Sequence, residues 1–283
     1  MTRCSLRRSS VALALLLGTA LAASACSGEE TSGAGGSTAT GAGATTSASQ
    51  PGGAGGHGDA GSGVGGSGAS EPTAGPVAIE GVFNARHTGG LSAGELRVRE
   101  RILIRSGHLS DITPTGCAQL AELDVRSVID LRETDGTTGV ATNPDAECVT
   151  TTTSYLHLEM PKLLPPSESV YLDIVATAEP HLPALFAALS AEQALPAIVH
   201  CVIGRDRANI VMALVLLSLG VPGTEIVADF TTNQEASVLA EVQASWMQAV
   251  VDYIDEQGGI DAYLQAHGVT TAQRGALQQA ALE

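Results

Sequence analysis

A cysteine and two arginines lie at the junction of two apolar runs in residues 195–217, "LPAIVHCVIGRDRANIVMALVLL". His200 and Cys201 end the first run, and Arg207 begins the second after five intervening residues. If the first run is a strand and the second a helix, the loop amides and the positive helix N-terminus converge where a tetrahedral dianion fits. Gly204 permits the backbone angles that such a loop needs. The same field stabilises a thiolate, so Cys201 is a candidate nucleophile and Arg207 a candidate phosphoryl ligand.

Strands and helices that position this junction are indicated on both sides of it. β-branched or alternating apolar residues predict strands at 101–107, 125–132, 151–160 and 196–201. Helices are predicted at 113–124, 169–190, 207–220, 224–234, 237–259 and 260–268. Thr113 is the expected cap of the first helix, and Gly220 the expected end of the one after the cysteine loop. This alternation predicts an α/β domain: a mixed central sheet with helices on both faces.

The segment "VHCVIGRDR" (199–207) resembles the His-Cys-x5-Arg signature of the cysteine-dependent protein tyrosine phosphatases. It is most similar to a bacterial branch whose loop reads H-C-x-x-G-K-D-R-T-G. Other segments resemble that branch in the same order, namely "FNARHTGG" (83–90), "LIRSGHLSDIT" (103–113), "VIDLRE" (128–133) and "VADF" (227–230). The resemblance spans most of residues 80–235 and implies a tyrosine-phosphatase-like fold, with the phosphate-binding loop between a buried strand and a helix.

The resemblance also implies a role for each matching residue. Cys201 would attack phosphorus and form a phosphocysteine, and Arg207 would stabilise the transition state. Asp206 would protonate the leaving oxygen and later activate water. The phosphate-binding residues would be Val202, Ile203, Gly204, Arg205 and Arg207, and the supporting residues His200, Asp130, Arg132 and Arg86. No metal and no cofactor is expected.

Simpler structural roles remain open for several of these residues. His200 is alternatively a polar residue at a strand end, and Asp206 a helix N-cap or an arginine partner. Asp130 and Glu159 are then the reserve candidates for the general acid. Arg132 and Arg86 are equally compatible with ordinary ion pairs.

Two departures from the bacterial branch affect the expected chemistry. Arg205 stands where the branch often has lysine, which keeps the charge but changes its geometry. Ala208 and Asn209 replace Thr-Gly or Ser-Gly, and the missing hydroxyl normally hydrogen-bonds the cysteine sulfur. Losing one hydrogen bond to a charged group costs ~1.5–3 kcal/mol, which would slow phosphoenzyme breakdown by roughly one to two decades.

Composition excludes one class of partner. The formal net charge is −16, and Lys162 is the only lysine in 283 residues. Nucleic-acid binding needs a basic face, so it is not expected. An anionic substrate must instead be bound by a few placed arginines.

Residues 1–25 are predicted to be an export signal, since a basic start precedes an apolar run too short to span a bilayer. Small residues directly before Cys26 resemble a bacterial lipoprotein signal, in which this cysteine is acylated. Ala23 stands where that signal usually has leucine, and an ordinary secretory signal is the alternative. Residues 26–76 are rich in Gly, Ser, Ala and Thr and predict a disordered tether with a reach of about 40 Å. Residues 77–283 remain as one catalytic domain.

Three cysteines lie in that domain: Cys117, Cys148 and Cys201. In an oxidising compartment two of them are able to pair, and one thiol is left over. Pairing of Cys117 with Cys148 would leave Cys201 free, although spacing alone does not establish that pairing.

These observations predict an exported, membrane-anchored phosphatase, held on the periplasmic or cell-surface side, that hydrolyses phosphate monoesters. Its partner would be a phosphorylated protein, above all a phosphotyrosine protein, or a small phosphoester. A catalytically weak phospho-ligand-binding protein is an alternative because of Ala208. Further alternatives are a phosphoinositide or inositol-phosphate phosphatase and a redox-sensing lipoprotein that uses Cys201. A rhodanese-type sulfurtransferase also uses a loop cysteine, but the segments that flank the loop in this chain do not resemble that family.

Overall fold

The computed structural model describes residues 74–134, 145–239 and 241–283. The predicted export signal, the lipidation site Cys26 and nearly all of the predicted tether lie outside these residues. Lipidation and export therefore stay predictions.

A six-stranded mixed sheet lies at the centre of the described part of the chain. Its strands are β1 (Gly75–Pro76), β2 (Arg86–His87), β5 (Leu103–Ser106), β6 (Ser127–Asp130), β7 (Ser154–His157) and β8 (Ala197–His200), and a separate hairpin joins β3 (Ser92–Ala93) to β4 (Leu96–Arg97). The order across the large sheet is β1-β2-β5-β8-β6-β7. The four strands β5, β8, β6 and β7 run parallel, whereas β1 and β2 are antiparallel to their neighbours. The strand that precedes Cys201 is therefore a central one.

Ten helices follow or separate these strands in the described residues. They are α1 (Pro114–Glu122), α2 (Glu147–Thr150), α3 (Glu168–Ala178), α4 (Leu182–Leu189), α5 (Arg207–Leu219), α6 (Gly223–Thr232), α7 (Ala236–Leu239), α8 (Ala244–Glu256), α9 (Gly259–Ala266) and α10 (Thr271–Ala281). A 3-10 turn at Glu179–His181 joins α3 to α4. Thr113 caps α1 by accepting from the Gly116 amide, and Gly220 ends α5 in a left-handed conformation, both as predicted.

The sheet separates two apolar cores, because alternate strand residues face opposite sides. Leu103, Ile129 and Val199 belong to the larger core, which contains most of α5. Ile104, Val128 and Ile198 belong to the smaller core, beside α1 and α2. Helices thus cover both faces, which confirms the predicted fold class. The helical run Glu168–Leu189 is long and apolar enough to cross a membrane by composition, but its buried residues pack into the larger core.

The single helix predicted over 237–259 is wrong. The chain forms α7, then a turn in which the Glu241 amide donates to the Val238 carbonyl, and α8 begins only at Ala244. Gln243 is extended at the start of α8, with φ −126° and ψ 133°, so it cannot continue a helix. This break brings Glu241 to the cysteine loop.

Cys117 and Cys148 form a disulfide, and Cys201 is the free cysteine of the described residues. The disulfide joins α1 to α2 on the side of the smaller core. This was the pairing that leaves the candidate nucleophile unoxidised.

Candidate active site

The residues between β8 and α5 form a tight loop whose first residue is Cys201. Cys201 is almost completely buried, with 2% of its surface exposed. Its amide donates to the Ser106 carbonyl of β5 at 3.3 Å. Gly204 has φ +70°, and a Cβ there would lie 2.6 Å from the Ser106 carbonyl carbon. Any side chain would therefore collide with the backbone of the adjacent strand, and the glycine is required for two independent reasons.

The carbonyl groups of the loop are held by donors around it. Asn84 Nδ2 donates to the Ile203 oxygen at 3.1 Å, and the His108 amide donates to the Val202 oxygen at 3.0 Å. Asn209 Nδ2 donates to the carbonyls of both Gly204 and Arg205, at 3.1 and 2.7 Å. With the carbonyls engaged in this way, the amides of the same peptide units are turned away from these donors, which is the arrangement of an anion-binding loop.

Arg207 is the first residue of α5 and is 95% buried, since its exposed fraction is 5%. Its Nη1 donates to the Leu131 and Met160 carbonyls at 3.2 and 2.7 Å. These two bonds fix the guanidinium plane beside Cys201. A fixed guanidinium binds a phosphoryl group with little further loss of conformational entropy.

Asp206 occupies the N-cap position of α5, but its side chain makes no capping hydrogen bond. Its Oδ1 accepts instead from the Tyr171 hydroxyl of α3 at 2.7 Å and from Arg205 Nε at 3.0 Å. Both contacts are made to the same oxygen. Oδ2 takes part in neither of these two contacts.

A charged network lies directly behind the loop. His200 is fully buried, with Nδ1 3.3 Å from the Cys201 carbonyl oxygen. Its Nε2 lies 2.9 Å from Asp145 Oδ2, within ion-pair distance but without hydrogen-bond alignment. Arg132 Nη2 lies 2.7 Å from Asp130 Oδ2 and 3.0 Å from Asp145 Oδ1. The predicted supporting residues His200, Asp130 and Arg132 thus form one cluster, completed by Asp145.

Charge pairing decides the ionisation of this cluster. Burial by itself raises the pKa of Asp130, but the Arg132 hydrogen bonds and His200 outweigh it and hold that pKa well below its usual value. Asp145 behaves in the same way: burial by itself raises its pKa, but His200 and Arg132 outweigh burial and lower that pKa below its usual value. Burial and the two carboxylates raise the pKa of Tyr155, whose hydroxyl lies 2.7 Å from Asp130 Oδ2. Both carboxylates are therefore ionised at neutral pH.

The same cluster is the one place in the described residues where side chains are close enough to hold a metal ion. Asp130, Asp145 and His200 offer ligand atoms within 4.8 Å of one another. The Arg132 guanidinium already pairs with both carboxylates, so the compensating cation is a side chain. A metal does not fit this arrangement unless Arg132 leaves.

Two predicted residues lie away from the loop. Arg86 pairs with Glu235 at 3.1 Å and does not line the cysteine pocket. Glu159, a reserve candidate for the general acid, is exposed and accepts from the Thr134 amide at 3.2 Å. Asp130, the other reserve candidate, supports the loop through His200 from outside the pocket. Among the described residues, the carboxylates that line the pocket are Asp206 and Glu241.

The structure adds residues that the sequence did not single out. The pocket has a volume of about 250 Å³ and is lined by Lys162, Leu163, Leu164, Ile174, Cys201, Val202, Ile203, Arg205, Asp206, Arg207 and Glu241. Beneath the loop, Arg105 is fully buried, and its Nη1 is 3.4 Å from the Gly204 carbonyl oxygen. Burial lowers the pKa of Arg105 to about 10, so it still carries its charge at neutral pH. Arg105 lies in a segment that resembles the bacterial branch, but nothing in the sequence indicated that this arginine is completely buried beneath the loop.

A sequence profile of the tyrosine phosphatase family matches residues 77–283. The chain belongs to the tyrosine phosphatase family. This confirms the predicted family and the prediction that the protein is an enzyme, a phosphoric monoester hydrolase. No curated protein sequence matches the chain.

Solved structures of phosphatases share low identity with the chain. The catalytic domain of the PP-IP phosphatase SIW14 from S. cerevisiae is 12% identical, with 59% of this chain and 93% of that chain covered and a TM-score of 0.36. TpbA from P. aeruginosa is 18% identical, with 61% and 89% covered and a TM-score of 0.33. PTPMT1 is 17% identical, with 59% and 96% covered and a TM-score of 0.35.

Proposed function

We propose that the protein hydrolyses phosphotyrosine through a phosphocysteine intermediate at Cys201. The observation that supports this most directly is the free, nearly buried thiol in the pocket, at the N-terminus of α5 and beside Arg207. Loop amides, the helix N-terminus and Arg207 all favour an anion at that place. A thiolate there and a phosphoryl dianion beside it are both stabilised by the same field.

In the first step, Cys201 Sγ attacks phosphorus while the bond from phosphorus to the tyrosyl oxygen breaks. Asp206 gives its Oδ2 proton to that oxygen, so the leaving group departs as a neutral phenol. Arg207, with Nη1 anchored on two carbonyls, offers its remaining N–H groups to the equatorial phosphoryl oxygens. The charge that develops on those oxygens is stabilised by groups that need no reorganisation.

In the second step, a water molecule attacks the phosphocysteine, and Asp206 accepts its proton. The sulfur leaves as a thiolate, inorganic phosphate is released, and Asp206 is again protonated. Ala208 places no hydroxyl near the departing sulfur. We therefore expect this second step to limit turnover.

The walls of the pocket favour an aromatic ester over a small polar one. Leu163, Leu164 and Ile174 line the pocket together with the loop residues Val202 and Ile203. Leu164 is 55% exposed, so its side chain is accessible to a bound ligand. A phenyl ring covering these side chains removes apolar surface from water at about 25 cal/mol per Å².

The test uses the full chain and p-nitrophenyl phosphate in the presence of a chelator. Wild-type protein should release nitrophenol, and acid quenching during turnover should trap a phosphate on Cys201 that mass spectrometry locates. Cys201→Ser should lose activity by several orders of magnitude while still binding vanadate. Full activity in Cys201→Ser would refute the mechanism, and wild-type vanadate binding without any turnover would support the phospho-ligand-binding alternative suggested by Ala208.

We further propose that the protein is exported and lipid-anchored at Cys26, on the periplasmic or cell-surface side. The support is the basic and apolar pattern of residues 1–25 and the small residues before Cys26. Bacterial cells that express the full chain should incorporate a labelled fatty acid into it, and Cys26→Ala should abolish the label. Equal labelling of both proteins would refute the anchor without affecting the catalytic proposal.

A further inference from the structure

Arg205 is the one loop arginine whose charge is fully compensated by its neighbours. Its side chain is only 7% exposed, and its Nε donates to Asp206 Oδ1 at 3.0 Å. Its Nη1 pairs with Glu241, whose own side chain is 63% exposed at the pocket mouth. Burial by itself lowers the pKa of Arg205, but the contacts with Asp206 and Glu241 raise it above the ordinary value, so Arg205 is charged at neutral pH.

The position of Glu241 follows from the break between α7 and α8. The turn after α7 directs this carboxylate back over the loop, 36 residues beyond Arg205 in sequence. Glu241 therefore already binds Arg205, a cation that a second phosphate group of a substrate would otherwise pair with. An anion that approaches Arg205 must displace a carboxylate that is already bound.

Glu241 removes part of the positive charge that the pocket offers to an anion. Three cations, Lys162, Arg205 and Arg207, line the pocket, and Glu241 pairs with Arg205. A single phosphoryl dianion is served by Arg207, the loop amides and the helix N-terminus. Additional phosphates would find one exposed lysine and a paired arginine.

We propose that Glu241 is a specificity-determining residue, which restricts the site to substrates with one phosphate on an apolar group and excludes polyphosphorylated polyols. This inference rests on the proposed assignment of the Cys201 pocket as the catalytic site. It makes phosphotyrosine the preferred class and inositol polyphosphates poor substrates. It also assigns the exclusion to a carboxylate outside the loop motif.

The experiment compares Glu241→Gln with the wild-type full chain and with Glu256→Gln. Glu256 is exposed at the end of α8 and does not line the pocket, so Glu256→Gln removes the same charge at a site away from Arg205. The substrates are a phosphotyrosyl peptide with otherwise uncharged side chains and inositol hexakisphosphate. Removing one competing charge at this range should raise kcat/KM for inositol hexakisphosphate roughly 5- to 20-fold and change that for the peptide by less than about threefold.

Binding to Cys201→Ser separates failure of this inference from failure of the proposed function. Titration calorimetry on Cys201→Ser and on the Cys201→Ser, Glu241→Gln double variant gives Kd for both ligands without turnover. Tighter binding of inositol hexakisphosphate alone in the double variant supports the role of Glu241, even if the wild-type protein hydrolyses neither substrate. Equal changes for both ligands, no change, or the same change in Glu256→Gln would overturn it.

Discussion

Removal of the Tyr171 hydroxyl should impair the first catalytic step only for substrates whose leaving group needs a proton. Tyr171 is fully buried, and its hydroxyl donates to Asp206 Oδ1 at 2.7 Å, which directs Oδ2 toward the leaving group. In Tyr171→Phe, Oδ1 keeps only the Arg205 contact and the carboxyl group can rotate. One hydrogen bond to a charged group is worth ~1.5–3 kcal/mol, so we expect kcat/KM for phosphotyrosine, which reports the first step, to fall roughly 10- to 100-fold.

The assay compares two leaving groups. Tyrosine has a pKa near 10 and departs poorly as an anion, whereas p-nitrophenol is much more acidic and needs little protonation. The kcat/KM of Tyr171→Phe for p-nitrophenyl phosphate should therefore stay within about threefold of wild type, since that parameter reports a first step that needs little general-acid catalysis. Tyr263→Phe is the matched control, since it also removes a buried tyrosine hydroxyl that lies 3.2 Å from a carboxylate, Glu179, away from the pocket. Equal losses in kcat/KM on both substrates would refute the positioning role, and so would a similar loss in Tyr263→Phe.

Three further variants test the support of the loop. Asp145→Asn should lower the free energy of unfolding by about 3 kcal/mol at neutral pH, because it breaks a buried pair. Since the pKa values of Asp130 and Asp145 are lowered in the folded protein, their stabilisation is present above the unfolded pKa of about 4 and is lost as pH falls below it. Urea titrations at several pH values should therefore show the two proteins converging in acid; a constant difference would contradict this. Asn209→Ala removes a donor from two loop carbonyls, of which that of Gly204 keeps the 3.4 Å contact with Arg105 Nη1, so we expect a loss of ~1–3 kcal/mol in urea titrations and a higher KM; an unchanged KM would show that the loop holds its shape without Asn209. Ala208→Ser should raise the steady-state rate of turnover relative to the rate of the initial burst, because the added hydroxyl speeds dephosphorylation. Rapid-quench measurements give both rates, and an unchanged ratio of the two would show that the missing hydroxyl does not limit dephosphorylation.

The strand, the loop and the helix of the site were predictable because each carries a local signal. A β-branched run, a glycine and a long apolar helix fix the path of the chain around Cys201 between residues 197 and 219. Tyr171 and Glu241 carry no such signal, because they reach the loop through the packing of α3 and through a turn within a segment that has helical periodicity. Asp145 likewise has no motif around it, and only its distance to His200 identifies its role.

Ala208 and Asn209 are best understood as one change with two opposite consequences. Ala208 is fully buried in the larger core and supplies no hydroxyl to the sulfur, so under the proposed mechanism the thiolate would leave the phosphoenzyme less readily. Asn209 supplies two donors to loop carbonyls, which a glycine at the same position would not provide. The first effect concerns only a state in which charge develops on sulfur, whereas the second holds the ground-state loop in its anion-binding shape. Affinity for phosphate and rate of turnover are therefore set by separate residues, and a slow enzyme that binds its phosphorylated partner tightly is the expected result.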